Sequence, residues 1–250
     1  MFGAGLIWIW FALACLICPI FGLASGSYAA EEARSACFDT TAIPSIRGAV
    51  CTEIIVAPET SNQVRLSAYL NRAAANYLTG KLDDAIRDYS KFISAQPANA
   101  VAFHERGLAY LKASEFQNAI ADFSEAIRLN SEYATAYNNR VIAYVNIKDR
   151  QKALSDFDAA IQLDPIYATA LYNRSLIYFD DAAYERAVAD LKKAIESQPS
   201  NPDLYNQLAW TYLKMGSASE SLPYVNRSLA IKPSATLTTR VVQFTKGLVT

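Results

Sequence analysis

The sequence predicts an all-α fold made of stacked helical hairpins, and two observations indicate it. Residues 66–235 contain five consecutive copies of a 34-residue pattern, with no insertion between them. Each copy has large apolar residues at helical spacing and small residues at two fixed positions, and four copies end with a proline at position 32. A unit of this length cannot bury its own apolar face, so it packs against its neighbours. The expected architecture is an α-solenoid.

The residues at the N-terminus have the composition of a signal peptide. Residues 2–23 contain no charged side chain, and small residues follow, with candidate cleavage points after Ala24 and Ala29. The same run lacks the usual positive charge in front of it and is long enough to cross a bilayer. We expect residues 1–29 to be a cleaved signal peptide, with an uncleaved anchor as the alternative and residues 2–23 as the only membrane contact. Either reading predicts an exported protein of the periplasm or cell envelope.

Both ends of the repeat array are predicted to be capped. Within residues 30–65, Cys37 and Cys51 are the only cysteines outside the apolar N-terminal run, and an even pair in an exported protein indicates a disulfide. A bridge across a loop of about 15 residues contributes roughly 3 kcal/mol. Residues 43–56 have the apolar spacing of one helix, which would be half of a degenerate repeat. Residues 236–250 have the same spacing and are expected to form a C-terminal capping helix.

Within the array, the pattern predicts a helix, a turn and a second helix in every copy. The copies are 66–99, 100–133, 134–167, 168–201 and 202–235. Small residues at positions 8 and 20 allow two antiparallel helices to approach closely. The proline at position 32 has no N–H to donate, so it ends the second helix. Three departures have expected consequences: Val141 at position 8 and Phe92 at position 27 predict locally wider helix spacing, and Pro223 predicts a fifth second helix that starts late or bends. Arg150 at position 17 is a further departure.

This pattern resembles the tetratricopeptide repeat (TPR) family, and the resemblance covers about two thirds of the chain. The resemblance implies a right-handed TPR α-solenoid that binds other proteins. A cysteine-containing opening followed by such an array is also similar to exported TPR proteins of alphaproteobacteria.

One recurrence lies outside the apolar pattern of the family. Position 7 is arginine in four copies, and position 23 of the same copies is aspartate. The pairs are Arg72 with Asp88, Arg106 with Asp122, Arg140 with Asp156, and Arg174 with Asp190. The fifth copy has Leu208 and Tyr224 at these positions, so both partners change together. Because positions 7 and 23 are level in an antiparallel hairpin, we predict a structural ion pair in each of the four hairpins, which can also bridge to the adjacent repeat.

The resemblance implies that partners bind a concave groove formed by the first helix of each repeat. Here the corresponding positions 5 and 6 are rich in amides, whereas positions 9 and 12 are mostly apolar. The candidate residues are Asn71, Asn138, Asn139, Tyr172, Asn173, Phe179, Asn206 and Trp210. Amides match a peptide backbone and aromatic rings offer apolar contact area, although amides also serve simply to solvate an exposed surface.

Three hypotheses about function follow from this surface. The first is a scaffold or adaptor that binds an extended peptide or a partner helix in the groove. The second is a receptor for a small amphiphilic or lipid-like molecule, bound along the apolar row at positions 9 and 12. The third is self-association through the convex face or the C-terminal helix.

Other functional classes find no support in the composition. The formal net charge is −1 and no basic stripe is present, which argues against nucleic-acid binding. His104 is the only histidine, so no site with two histidine ligands can form, and no phosphate-binding glycine loop occurs. Glu105 follows His104 on the same helix and is expected to point about 100° away from it. We therefore expect no enzyme activity, no metal and no cofactor.

Overall fold

The computed structural model describes residues 35–233, and this range contains eleven α-helices and no strand. The helices are α1 Pro44–Val56, α2 Asn62–Leu78, α3 Leu82–Ala95, α4 Ala100–Lys112, α5 Phe116–Leu129, α6 Ala134–Asn146, α7 Arg150–Leu163, α8 Ala168–Asp180, α9 Tyr184–Ser197, α10 Pro202–Lys214 and α11 Ala218–Ile231. The all-α prediction is confirmed. The predictions for residues 1–29 and 236–250 lie outside the described residues.

The spacing of the helices follows the 34-residue pattern. Helices α4, α6, α8 and α10 begin where the pattern restarts, and every second helix runs from repeat position 17 to position 30. Between the two helices of each copy, position 15 adopts a positive φ of 56–80°. The residues there are Gly80, Ser114, Lys148, Ala182 and Gly216. Three turns therefore hold a side chain in a conformation that glycine adopts more easily.

The chain divides into two compact units, Met1–Ala113 and Ser114–Thr250. In the first unit, α1 packs on α2, α2 on α3 and α3 on α4. The predicted disulfide between Cys37 and Cys51 is present. Both cysteines are fully buried and pack against Ile54 and Ala68, so the bridge joins the segment before α1 to the core of the cap.

The first repeat differs from the others because its first helix is longer. Helix α2 begins at Asn62, four residues before the pattern starts at Leu66, because Ser61 caps it by accepting a hydrogen bond from the Val64 N–H at 3.4 Å. Arg65 then donates to the carbonyls of Ile55 at 3.1 Å and Ala57 at 3.2 Å, at the end of α1. The cap helix is thereby attached to the first hairpin.

In the second unit, the departures at Val141 and Pro223 are accommodated. Val141 is buried with Phe157 and Ala153, and α6 packs against α7 as extensively as the helices of the later hairpins do. Helix α11 begins in phase at Ala218 and continues through Pro223, so it does not start late. The proline cannot donate to the carbonyl of Ser219, but Ser219 is exposed and water can bind that carbonyl instead.

Candidate functional site

The arginine and aspartate side chains of the pattern form a buried frame. In the third repeat, Arg140 Nε and Nη2 donate to the two carboxylate oxygens of Asp156, both at 2.7 Å. Asp156 is only 5% exposed. The same two-bond geometry, at 2.7–2.8 Å, occurs at Arg72 with Asp88 and at Arg174 with Asp190. Arg106 and Asp122 belong to different units, and their pairing stays a prediction.

Each of these arginines also reaches the preceding repeat through Nη1. Arg140 donates to Ser124 Oγ at 2.8 Å, and Arg174 donates to Asp158 Oδ1 at 2.6 Å. In the first unit the equivalent bonds run from Arg106 to Ser90 Oγ at 2.9 Å and from Arg72 to Thr52 Oγ1 at 3.1 Å. The expected bridge to the adjacent repeat is therefore present, and it fixes how successive hairpins stack.

The guanidinium of Arg140 also lies over two tyrosine rings. The distances from its Cζ to the centroids are 5.7 Å for Tyr137 and 5.6 Å for Tyr144. Burial lowers the pKa of Arg140, but the hydrogen bonds to Asp156 and the attraction of its charge outweigh burial and hold that pKa above its usual value. Since Arg140 is engaged on all sides within the protein, its role is structural.

The fifth repeat replaces the ion pair by an aromatic contact. Leu208 is fully buried, and Tyr224 stacks on Tyr212 with ring centroids 5.6 Å apart and planes within 5° of parallel. Lys192 Nζ lies 5.9 Å from the Tyr212 ring centroid. An arginine at position 7 would meet this lysine, because Lys192 occupies the repeat position held by Ser124 and Asp158 in earlier copies.

The predicted groove amides are less available than their positions suggested. Asn138 and Asn206 are only 5% and 4% exposed, so little of either side chain can touch a partner. Asn71 Nδ2 donates to the Ser67 carbonyl of its own helix at 2.9 Å. Asn139 and Asn173 are half-buried, which leaves part of each amide open to solvent.

The predicted aromatic residues are also partly covered. Tyr172 is half-buried, and burial raises its pKa, with a smaller effect from Asp203. The Phe179 ring meets the Tyr184 ring edge-on, with centroids 5.5 Å apart. Lys214 Nζ lies 5.1 Å from the Trp210 ring centroid. Of the predicted surface, these contacts leave Asn173 as an amide that is accessible to a partner.

The open part of this surface is a cavity of about 570 Å³ between α6, α7 and α8. Its lining residues are Val141, Ile142, Val145, Lys148, Arg150, Phe157, Asn173, Leu176, Ile177 and Asp180. Ile142 is 41% exposed and Val145 is 51% exposed. These two apolar side chains therefore form an uncovered floor, with the charged groups of Lys148, Arg150 and Asp180 among the lining.

Beside this cavity, repeat position 17 of the third repeat is an arginine, Arg150. In the fourth repeat this position is Tyr184, whose ring covers Phe179 at position 12. In the third repeat Arg150 leaves Val145, the residue at position 12, uncovered. Arg150 Nη2 instead donates to the Ile177 carbonyl at 2.6 Å and lies 2.7 Å from Asp181 Oδ1.

Helix α7 packs less extensively against α8 than α9 packs against α10. The bonds of Arg150 to Ile177 and Asp181 thus connect α7 to α8 where these two helices pack less closely. In the sequence, Arg150 is visible only as a departure from the family pattern at position 17. The sequence could have indicated an unusual site here, because position 17 is apolar or aromatic in the other four copies: Leu82, Phe116, Tyr184 and Ala218.

Comparison with protein-family models identifies the repeats. A model described as TPR repeat matches residues 176–216, and models described as tetratricopeptide repeat match residues 104–165 and 202–234. This is a tetratricopeptide-repeat protein. No curated protein matches the chain.

Solved TPR structures share the fold. A crystal structure of MamA protein is 25% identical over 67% of this chain and 92% of that chain, with a TM-score of 0.61. MamA 41-end from Desulfovibrio magneticus RS-1 is 18% identical over 68% and 97%, with a TM-score of 0.61. YrrB, described as a TPR protein with an unusual peptide-binding site, is 18% identical over 70% and 91%, with a TM-score of 0.59.

The single histidine of this TPR protein has a neighbour that the sequence did not predict. His104 Nδ1 lies 3.2 Å from Glu105 Oε1, although adjacent helix positions point about 100° apart. The prediction of separated side chains was wrong, because the glutamate side chain is long enough to fold back. Residues 35–233 contain no group of three or more potential metal ligands. In the same range, no helix combines the length and apolar character needed to cross a bilayer.

Proposed function

We propose that this TPR protein is an adaptor that binds an extended segment of a partner protein at the cavity between α6, α7 and α8. The TPR fold supports protein–protein interaction and peptide binding in general. The observation that supports a specific location is the uncovered apolar floor of Ile142 and Val145. Apolar side chains that line an open cavity with polar groups at its edge mark binding sites on soluble proteins.

The chemistry of the cavity suits a peptide. An aliphatic side chain of the partner would contact Val145 and Leu176, while the Asn173 amide offers both a donor and an acceptor to a peptide backbone. Asn173 makes no side-chain hydrogen bond within residues 35–233, so its amide is available for this purpose. The peptide-binding site described for YrrB supports the idea that this fold can hold such a ligand.

We further propose that the protein acts outside the cytoplasm, in the bacterial envelope. The buried Cys37–Cys51 disulfide supports this, because stable structural disulfides form mainly in oxidising compartments. The uncharged run at residues 2–23 supports export independently. Fusion of residues 1–60 to a reporter enzyme that is active only after export tests the location. Activity of the fusion supports it, and inactivity in an expressed fusion contradicts it.

The binding proposal is tested by placing a charge on the cavity floor. The partner is captured from a periplasmic extract and identified, and the affinity of its binding segment is measured by calorimetry. We expect Val145→Glu to weaken binding at least tenfold, because the carboxylate would be desolvated by the bound apolar side chain.

Leu222→Glu on α11 is the matched control, since Leu222 is 48% exposed and does not line the cavity. It should bind with wild-type affinity. Equal affinity of both variants, with intact helical circular dichroism, would place the binding site elsewhere.

The cavity volume also supports a second candidate function, a receptor for a small amphiphilic molecule. About 570 Å³ lies within the range of small-molecule pockets, roughly 300–1,000 Å³. Native mass spectrometry of protein purified from its own source separates the two functions. A retained small molecule that is lost in Val145→Glu supports the receptor, whereas unliganded protein supports the adaptor.

A further inference from the structure

We infer that the partner segment carries an acidic residue next to its apolar anchor, and that Lys148 and Arg150 select it. This inference rests on the proposed function, because it names the chemistry of the segment bound at the same cavity. The apolar floor specifies only an apolar anchor residue in the partner segment. The charged groups at the cavity specify the residue next to that anchor.

Two cationic groups at the cavity have unused hydrogen-bond donors. Lys148 lines the cavity, is exposed, and has no ion pair or side-chain hydrogen bond within residues 35–233. Arg150 uses Nε and Nη2 to bind Asp181 and the Ile177 carbonyl, at 3.2 Å and 2.6 Å. Its Nη1 makes no hydrogen bond in the described part of the chain. A carboxylate of the partner can therefore accept hydrogen bonds from both groups.

The carboxylates near the cavity offer fewer free hydrogen-bond acceptors to a cation of the partner. Both carboxylate oxygens of Asp181 already contact Arg150, at 2.7 Å and 3.2 Å. This leaves Asp180 as the one uncommitted carboxylate among the lining residues. A partner cation would meet Asp180 alone and would be repelled by Lys148. Charge complementarity thus favours Asp or Glu beside the anchor over Lys or Arg.

The backbone conformation at Lys148 allows its charge to be removed without loss of stability. Lys148 has φ 63°, a conformation that glycine adopts without steric cost, and the equivalent residue of the fourth repeat, Ala182, has φ 56°. The substitutions Lys148→Gly and Ala182→Gly should therefore both raise the melting temperature. Only Lys148→Gly removes a charge from the cavity, so a loss of binding in that variant cannot be attributed to unfolding.

The experiment selects peptides from a random twelve-residue library on the full chain and on its Val145→Glu variant. We expect the wild-type protein to enrich peptides with an aliphatic residue flanked by Asp or Glu, and Val145→Glu not to enrich them. For a selected peptide, changing that Glu to Gln and changing Lys148→Gly should each reduce affinity about twofold to fivefold, the range of a single exposed charge pair. Ala182→Gly should leave the affinity unchanged.

The outcomes separate this inference from the proposed function. Enrichment of aliphatic peptides without an acidic residue, or with Lys or Arg, overturns the acidic selection and leaves the adaptor proposal intact. If no peptide is enriched in a way that depends on Val145, both the acidic selection and the adaptor proposal are overturned. An equal loss of affinity in Lys148→Gly and Ala182→Gly would show that the turn backbone, rather than the lysine charge, controls binding, and would also overturn the inference.

Discussion

The third and fourth hairpins have the same frame but different surfaces. Both contain a two-bond arginine–aspartate pair, at Arg140 with Asp156 and at Arg174 with Asp190, and in both the arginine reaches back to the preceding repeat. At position 12, however, Val145 of the third hairpin is 51% exposed, whereas the Phe179 ring of the fourth is in contact with Tyr184. The surface therefore differs between the two hairpins, whereas the arginine–aspartate frame is the same.

The difference depends on which residue follows the turn. In the fourth hairpin, Tyr184 places an aromatic ring over the preceding helix. In the third hairpin, Arg150 turns its guanidinium to Asp181 and the Ile177 carbonyl, and the space beside Val145 remains open. In these two hairpins, the residue at position 17, which lies outside groove positions 5, 6, 9 and 12, thus distinguishes the covered surface from the open one.

The largest expected effect concerns the shared frame. Arg140→Ala and Arg174→Ala should each destabilise the protein by roughly 3 kcal/mol or more, because an aspartate that is 5% exposed would lose its counter-ion. An exposed ion pair would contribute only about 0–1 kcal/mol. Urea denaturation measures both values. Similar losses in the two variants would show that the frame is equivalent in the two hairpins.

A double substitution tests whether the frame residues act together. Arg140→Leu combined with Asp156→Tyr copies the fifth repeat, where Tyr224 stacks on Tyr212. The Tyr144 ring is available for the same stacking in the third repeat, so much of the lost stability should return. A double variant as unstable as the sum of the two single variants would show that the residues are not coupled.

Exchange of position 17 between the hairpins should have a smaller effect. Arg150→Tyr should stabilise the protein by about 1 kcal/mol, because filling the cavity gains more than the exposed bridge to Asp181 contributes. The reverse change, Tyr184→Arg, should destabilise by about 1–2 kcal/mol through loss of the contact with Phe179. Thermal denaturation reports both. Changes of the same sign in the two variants would contradict the role assigned to this position.

The smallest effect is expected at position 5. Asn138 is buried with no hydrogen-bond partner for Oδ1, whereas the equivalent Tyr172 is half-buried. Asn138→Leu should be neutral or stabilise by up to about 1 kcal/mol, because it removes an unsatisfied acceptor. Tyr172→Phe is the control and should change stability by less than about 0.5 kcal/mol. A clear loss in Asn138→Leu would show that a buried water or a ligand binds this amide.

The features predicted best are those that the repeat period controls. The hairpins and the ion pairs of Arg72, Arg140 and Arg174 follow from spacing alone, because each depends on which residues share a face or a level. The disulfide followed instead from the number of cysteines and the expected export. The groove was predicted less well. Position 5 was assigned to an open surface, but Asn138 is buried by packing that a single sequence does not reveal.

The cavity was not predicted because it depends on a side-chain conformation. Nothing in the spacing shows that Arg150 turns toward Asp181, which is 31 residues away in sequence. Likewise, the contact of His104 with Glu105 depends on rotamers rather than on helix geometry. Sequence periodicity identifies which residues share a helix face, whereas the shape of that face depends on the rotamers of individual side chains.

The exposure of the Val145 methyl groups tests the central claim most directly. Methyl NMR spectra of protein labelled at Val, Leu and Ile are recorded with a soluble gadolinium chelate, for the wild type and for Arg150→Tyr. We predict strong broadening of the Val145 and Ile142 methyl signals in the wild type and clear protection of Val145 in the variant. Equal broadening of Val145 in both proteins would contradict the claim that Arg150 opens this cavity.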